Sequence, residues 1–153
     1  MADKSIHRSE YLKPLSREHH HALLLCWKIK TGISKGISAE RIKSYANWFY
    51  NSHLKNHFEL EEKYIFPVLD ANNPHVIQAI QEHRALEKLF AEDTNPEDTL
   101  KKIQTQLEQH IRFEERTLFN EIQNAATEEQ IKLIPAIEEE ADFIDNPNDV
   151  FWE

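Results

Sequence analysis

A short pattern that occurs twice constrains this chain more than any other feature. His57-Phe-Glu-Leu-Glu61-Glu62-Lys-Tyr-Ile-Phe66 and His110-Ile-Arg-Phe-Glu114-Glu115-Arg-Thr-Leu-Phe119 both read H-x-x-x-E-E-[KR]-x-[IL]-F, 53 residues apart. On an α-helix, residues four apart lie on one face, a turn from each other. His57 and Glu61 therefore aim at one spot, and so do His110 and Glu114. The face they share is the apolar one. Leu100, Ile103, Leu107, His110, Glu114 and Leu118 form one three-four stripe. Tyr45, Phe49, His53, His57, Glu61 and Ile65 or Val68 form its counterpart. A carboxylate buried without a partner is costly or changes its pKa. Two carboxylates and two imidazoles in one core need compensation, and a pair of metal ions supplies it. Taken singly, such a pair is more often surface decoration. The repeat, its core register and an excess of histidine (nine in 153 residues) reverse that reading.

Apolar spacing of three and four runs through the chain, and strand-like alternation does not persist. The spacing predicts a first helix from Pro14 or Leu15 to Thr31, stopped by Gly32-Ile-Ser-Lys-Gly36. Ser38 is placed as the N-cap of a second helix over about 39–65, which Pro67 bends or ends. Asn73-Pro74 starts a third, over about 74–92. Asn95-Pro96-Glu97-Asp98 starts a fourth, over about 96–125, with acids suited to a helix N-terminus. Thr127-x-x-Gln130 is a capping box opening a shorter helix, about 128–141, which Pro135 kinks or splits. Beyond it, Phe151 and Trp152 suggest a tail that docks on the body. Long helices with short connections favour an all-α, up-down-up-down four-helix bundle with a short C-terminal fifth helix and tail. The whole chain, 1–153, reads as one domain, with a core bundle at about 14–125 and the C-terminal helix and tail at 127–153.

Several classes of function are disfavoured. A net charge of −9 argues against nucleic acid and anionic membranes, which need a basic face. Cys26 is the only cysteine, so neither a disulfide framework nor a thiolate zinc site can be built. Two glycines leave no room for a glycine-rich phosphate loop. The opening MADKSIHRSE is polar, unlike a secretory leader. No stretch approaches the ~20 apolar residues that span a bilayer. A cytoplasmic compartment is the expectation.

The other two helices offer fewer donors. His19, His20 and His21 lie about 100° apart around the first helix, so at most two face inward. His20 leads into Leu23, Leu24 and Trp27. His19 runs from Leu15 into Ala22, Leu23 and Cys26. His20 is the preferred ligand and His19 the next, with His21 solvated or outside the ligand set. In the third helix His83 lies on the side of Ile80, Leu86 and Phe90, and is expected to ligate. Glu87, one turn on, is a weaker candidate, read as a partner of His83 or a solvated acid. His53, one turn before His57, is another weaker candidate. His7 and His75 read as surface residues.

Together these residues resemble the hemerythrin-like, or HHE cation-binding, family. The likeness rests on an early Glu-His on helix 1, H-x-x-x-E-E with Phe66-Pro67 on helix 2, one histidine on helix 3 and H-x-x-x-E on helix 4. It covers about Leu15 to Ala125. It implies a non-haem di-iron centre bridged by Glu61 and Glu114, with His20 (or His19), His57, His83 and His110 as terminal ligands. Manganese or zinc would also suit these donors. Oxygen-carrying members have a second helix-3 histidine, where this chain has Glu87. They also have an aspartate one residue later than Glu114. Ferritin-like di-iron proteins instead use Glu-x-x-His, which does not occur here in two copies.

The function expected is a metal-binding protein that binds or senses oxygen or a related diatomic such as nitric oxide. The alternatives are a di-iron enzyme, of oxidase-peroxidase or nitric-oxide-reducing type, and an iron storage or donation protein. An enzyme is the less favoured reading, because no acid-base group separate from the ligands is apparent. No catalytic residue and no organic cofactor site is assigned. Signalling would need a protein partner, whose identity the residues do not reveal.

Overall fold

A computed structural model describes residues 8–135 and 149–153. Helix α1 is Lys13–Ser34, α2 Ala39–Phe49, α3 Lys55–Leu60, α4 Pro74–Ala91, α5 Pro96–Phe113, α6 Phe119–Ala125 and α7 Glu128–Leu133. A π turn, Tyr50–Leu54, joins α2 to α3. A second, Glu61–Ile65, and a 3₁₀ turn, Phe66–Val68, extend α3. A third π turn, Glu114–Leu118, joins α5 to α6. The bundle is therefore four helical rods: α1, the rod 39–68, α4 and the rod 96–125.

Two apolar clusters show how the rods run. One joins Leu12 and Leu15 from the start of α1 to Ile65 and Phe66 at the end of the second rod. It also takes in Val76 and Ala79 from the start of α4, and Leu118, Phe119 and Ile122 near the end of the fourth rod. Starts and ends alternate, which is up-down-up-down packing. The other cluster fills the opposite half with Leu25, Ile29, Ile42, Phe49, Phe90, Leu100 and Phe151.

Local chemistry sets the helix boundaries largely where the sequence places them. Ser38 accepts from the Arg41 N–H at 3.3 Å, and Asn73 from the His75 N–H at 2.8 Å. Thr127 and Gln130 form the reciprocal capping box. Asn95 makes no side-chain cap. The first helix departs from expectation, continuing through Gly32 to Ser34. Gly36, at φ 75°, is the residue that turns the chain. Gly32 serves the packing instead. A Cβ there would lie 2.6 Å from the Phe151 ring and 2.8 Å from Ile42.

The tail residues do dock. Phe151 is buried, Lys35 donates to the Trp152 carbonyl at 2.7 Å, and Arg41 pairs with Asp149. The fifth helix ends at Leu133, just before Pro135. The expected continuation to 141, the tail from 144 to 148, and His7 lie outside the described residues. No helix among the described residues is long and apolar enough to cross a membrane.

Candidate metal centre

Between the two apolar clusters lies a polar layer. His19, His57, Glu61, His83, His110 and Glu114 are all between 0% and 3% exposed. Their donor atoms form two groups, His19-His57-Glu61-Glu114 and Glu61-His83-His110-Glu114, each with all atoms within 4.8 Å. The two carboxylates belong to both. Glu61 turns Oε2 to His57 Nε2 at 3.1 Å and Oε1 to His83 Nε2 at 3.1 Å. Glu114 turns Oε1 to His19 Nε2 at 2.9 Å and Oε2 to His110 Nε2 at 3.0 Å. Each carboxylate therefore presents one oxygen to each group, as a bridge between two cations requires.

Nε2 of His19 and Nε2 of His57 meet each other at 3.1 Å, and the other inward atoms have no such hydrogen-bond partner. Both oxygens of Glu61 and of Glu114, and Nε2 of His83 and His110, are buried without one. Leaving such atoms unpaired costs about 1–3 kcal/mol each, more when they are charged. The outward nitrogens are all satisfied. Nδ1 of His19 meets Glu115 at 2.6 Å, and Nδ1 of His57 meets Glu18 at 2.8 Å. Nδ1 of His83 meets Glu62 at 2.6 Å, and Nδ1 of His110 meets Glu82 at 2.7 Å. An ionised carboxylate only accepts, so each Nδ1 carries the proton. In the neutral imidazole, Nε2 then holds a lone pair. Four lone pairs and four carboxylate oxygens converge, and this donor set fits two metal cations.

Without metal, protons take that role. Burial alone would lower the His57 pKa, but the Glu61 charge, the Glu18 hydrogen bond and the close Glu61 oxygen raise it to about 9. Burial likewise opposes the carboxylates around His83, and Glu114, Glu61 and Glu62 raise it to about 11. His19 and His110 move upward for the same reason. Glu114 is held well below the usual carboxylate range, its burial outweighed by His110, His19 and His83.

The repeat explains how the backbone builds this layer. The Phe66 N–H donates to the Glu61 carbonyl and the Phe119 N–H to that of Glu114. Both are π-type bonds five residues long, and both start on a shared carboxylate. Neighbouring helical residues diverge by about 100°. Glu61 and Glu114 thus point to the centre, while Glu62 and Glu115 reach sideways to histidines of neighbouring rods. Phenylalanines close the layer: Phe58 stacks on His83 at 3.9 Å and Phe119 on His19 at 5.2 Å.

The structure brings together His57, Glu61, His83, His110 and Glu114 as the sequence suggests, and corrects one position. His19, not His20, enters the layer, and His20 is exposed. The stripe Leu15-His19-Ala22-Cys26-Ile29 is buried throughout, whereas Leu24 and Trp27, which follow His20, are 37% and 52% exposed. The longer unbroken stripe was the available signal. His53 stays outside both groups. Its ring packs on Trp48 and Phe49 at 5.3 and 5.5 Å, because the wider Tyr50–Leu54 turn breaks the four-residue register with His57. Glu87 also stays outside, and pairs with Arg84 rather than His83. His75, a surface candidate, is partly exposed and meets Glu121 at 2.7 Å. No sequence pattern assigns a role to the outer carboxylates Glu18, Glu62, Glu82 and Glu115. The adjacent pairs Glu18-His19, Glu82-His83, Glu61-Glu62 and Glu114-Glu115 were the trace they left.

Residues 11–122 match the hemerythrin HHE cation-binding domain family. No curated protein and no solved structure matches the chain.

Proposed function

Since the chain belongs to the hemerythrin HHE cation-binding family, we propose that it is a non-haem di-iron protein that binds or senses oxygen or a related diatomic such as nitric oxide. The observation that carries this reading is the sharing of Glu61 and Glu114 between two histidine pairs. His19 and His57 would hold one ion, and His83 and His110 the other. Each ion would then have four protein donors, fewer than the roughly six that iron accommodates, which would leave room for a small ligand. Bound there, the ions supply redox chemistry and a seat for a small ligand. Phe58, Phe66 and Phe119 keep bulk water from the layer. The near-complete burial of all six donors favours a ligand as small as a diatomic.

Elemental analysis with optical spectra of oxidised and reduced protein tests this. Two irons per chain, and a visible band that changes on adding oxygen or nitric oxide to reduced protein, are expected. A stoichiometric zinc site with no response to either gas overturns the reading.

A further inference from the structure

The four outer carboxylates form a ring. Glu18 of α1 holds His57 of the second rod, and Glu62 of that rod holds His83 of α4. Glu82 of α4 holds His110 of the fourth rod, and Glu115 of that rod returns to His19 of α1. One such Nδ1–carboxylate hydrogen bond crosses each of the four seams between neighbouring rods. Each of these four histidines has its Nδ1 proton fixed and its Nε2 turned inward.

The ring also has an alternation. Glu115 takes a second contact from Arg8 at 3.2 Å and one from Ser16 at 2.8 Å, and Glu62 pairs with Arg84. Glu18 and Glu82 pair with no arginine among the described residues. Each metal position therefore has one histidine tied to an arginine-paired carboxylate and one tied to a carboxylate without arginine. The two positions match in their inner donors and in this outer arrangement.

We infer that Glu18, Glu62, Glu82 and Glu115 are positioning residues, which fix the four histidines as Nε2 donors and make the two metal positions equivalent. This rests on the two-metal reading above. The physical reason is that a hydrogen-bonded imidazole is locked in tautomer and orientation, and its carboxylate partner raises its basicity as a donor. Glu62 and Glu115, with side chains 22% and 27% exposed, act more strongly than Glu82 at 31% and Glu18 at 41%.

The test compares wild type with Glu62→Ala, Glu62→Gln and a control, Glu87→Gln, which removes the charge of the other partner of Arg84. Each full-length protein is loaded anaerobically with ⁵⁷Fe(II). Iron affinity is read against a chelator, helicity by circular dichroism, and iron environment by Mössbauer spectroscopy. Wild type and control should show two irons and one quadrupole doublet. Glu62→Ala should bind about 10–100-fold more weakly. Glu62→Gln keeps an acceptor oxygen for the Nδ1 proton, so it should fold, hold two irons and split the doublet. If Glu62→Ala does not fold, the Gln variant decides alone. An unchanged single doublet in Glu62→Gln, or two doublets in wild type, overturns the inference while leaving the di-iron reading standing. Wild type that binds no iron overturns both.

Discussion

The two halves of the layer build the same group from different surroundings. His19 and His57 form one half, His83 and His110 the other, and both use the same two carboxylates. Around the first half lie His20, His21 and His53. Where the helical pattern places their counterparts in the second half stand Arg84, Ala85 and Gln106. The second half forms an equally close group without these histidines, so they are not what assembles it. The π turns teach the same lesson. Those at Glu61 and Glu114 are matched, and each starts on a shared carboxylate. The one at Tyr50–Leu54 has no counterpart in the uninterrupted α5 and serves no shared position. What recurs in both halves marks the site, and what occurs once marks its surroundings.

The largest effect should come from breaking what the halves share. Glu114→Ala removes an oxygen from each group and takes from the Nε2 atoms of His19 and His110 their nearest carboxylate oxygen. Loss of both ions is expected, with metal-free stability lower by about 3–5 kcal/mol, the cost of breaking a buried pair. Elemental analysis and urea unfolding measure this. Loss of a single ion would show that the halves are independent.

A smaller effect separates them. His19→Ala should lower metal content by about one of the two ions and leave the His83-His110 group able to bind. His20→Ala and His53→Ala should leave metal content at the wild-type level. If His20→Ala loses metal and His19→Ala does not, the assignment of the first half is wrong.

Acidity should distinguish the metal-free from the metal-bound layer. His57 is raised from 6.5 to about 9 and His83 to about 11 in the metal-free fold. A raised histidine stabilises the fold fully below its unfolded pKa, and this stabilisation is lost as pH rises through the folded value. In chelator, Tm should fall as pH rises from 6.5 to about 9, further for the part owed to His83. With metal bound the ligands carry no such protons, and Tm should hold over the same window. A metal-free Tm that rises from pH 6.5 to 9 would contradict this account.

The smallest effect concerns the end of the bundle away from the layer. Gly32→Ala places a methyl group against Phe151 and Ile42, so stability should drop by about 1–3 kcal/mol through overpacking. Metal content should stay at the wild-type value, and a drop would tie the tail to the site.

Much of this protein is legible in its sequence, because helical periodicity is a local property. Capping residues such as Ser38, Asn73 and Thr127 settle where helices begin, through bonds to their own first turn. The repeat places four of the six inner donors, because His and Glu four apart in an apolar stripe have only one face to share, and the stripe of Ile80, Leu86 and Phe90 adds His83. Where the signal was a run of adjacent histidines, as at His19-His20-His21, more than one face was offered. Packing of α1 against its neighbours chose the one with Leu15, Ala22 and Cys26. The outer carboxylates lay further beyond reach, since Glu18, Glu62, Glu82 and Glu115 each act on a histidine of another rod. Periodicity states which residues share a face of one helix, and it is silent on which side chains meet across a seam. The sequence by itself therefore determined the two-fold repeat of donors. Only the tertiary structure decided which first-helix histidine joins them and that four glutamates hold the ring closed, because both depend on the order and rotation of the rods.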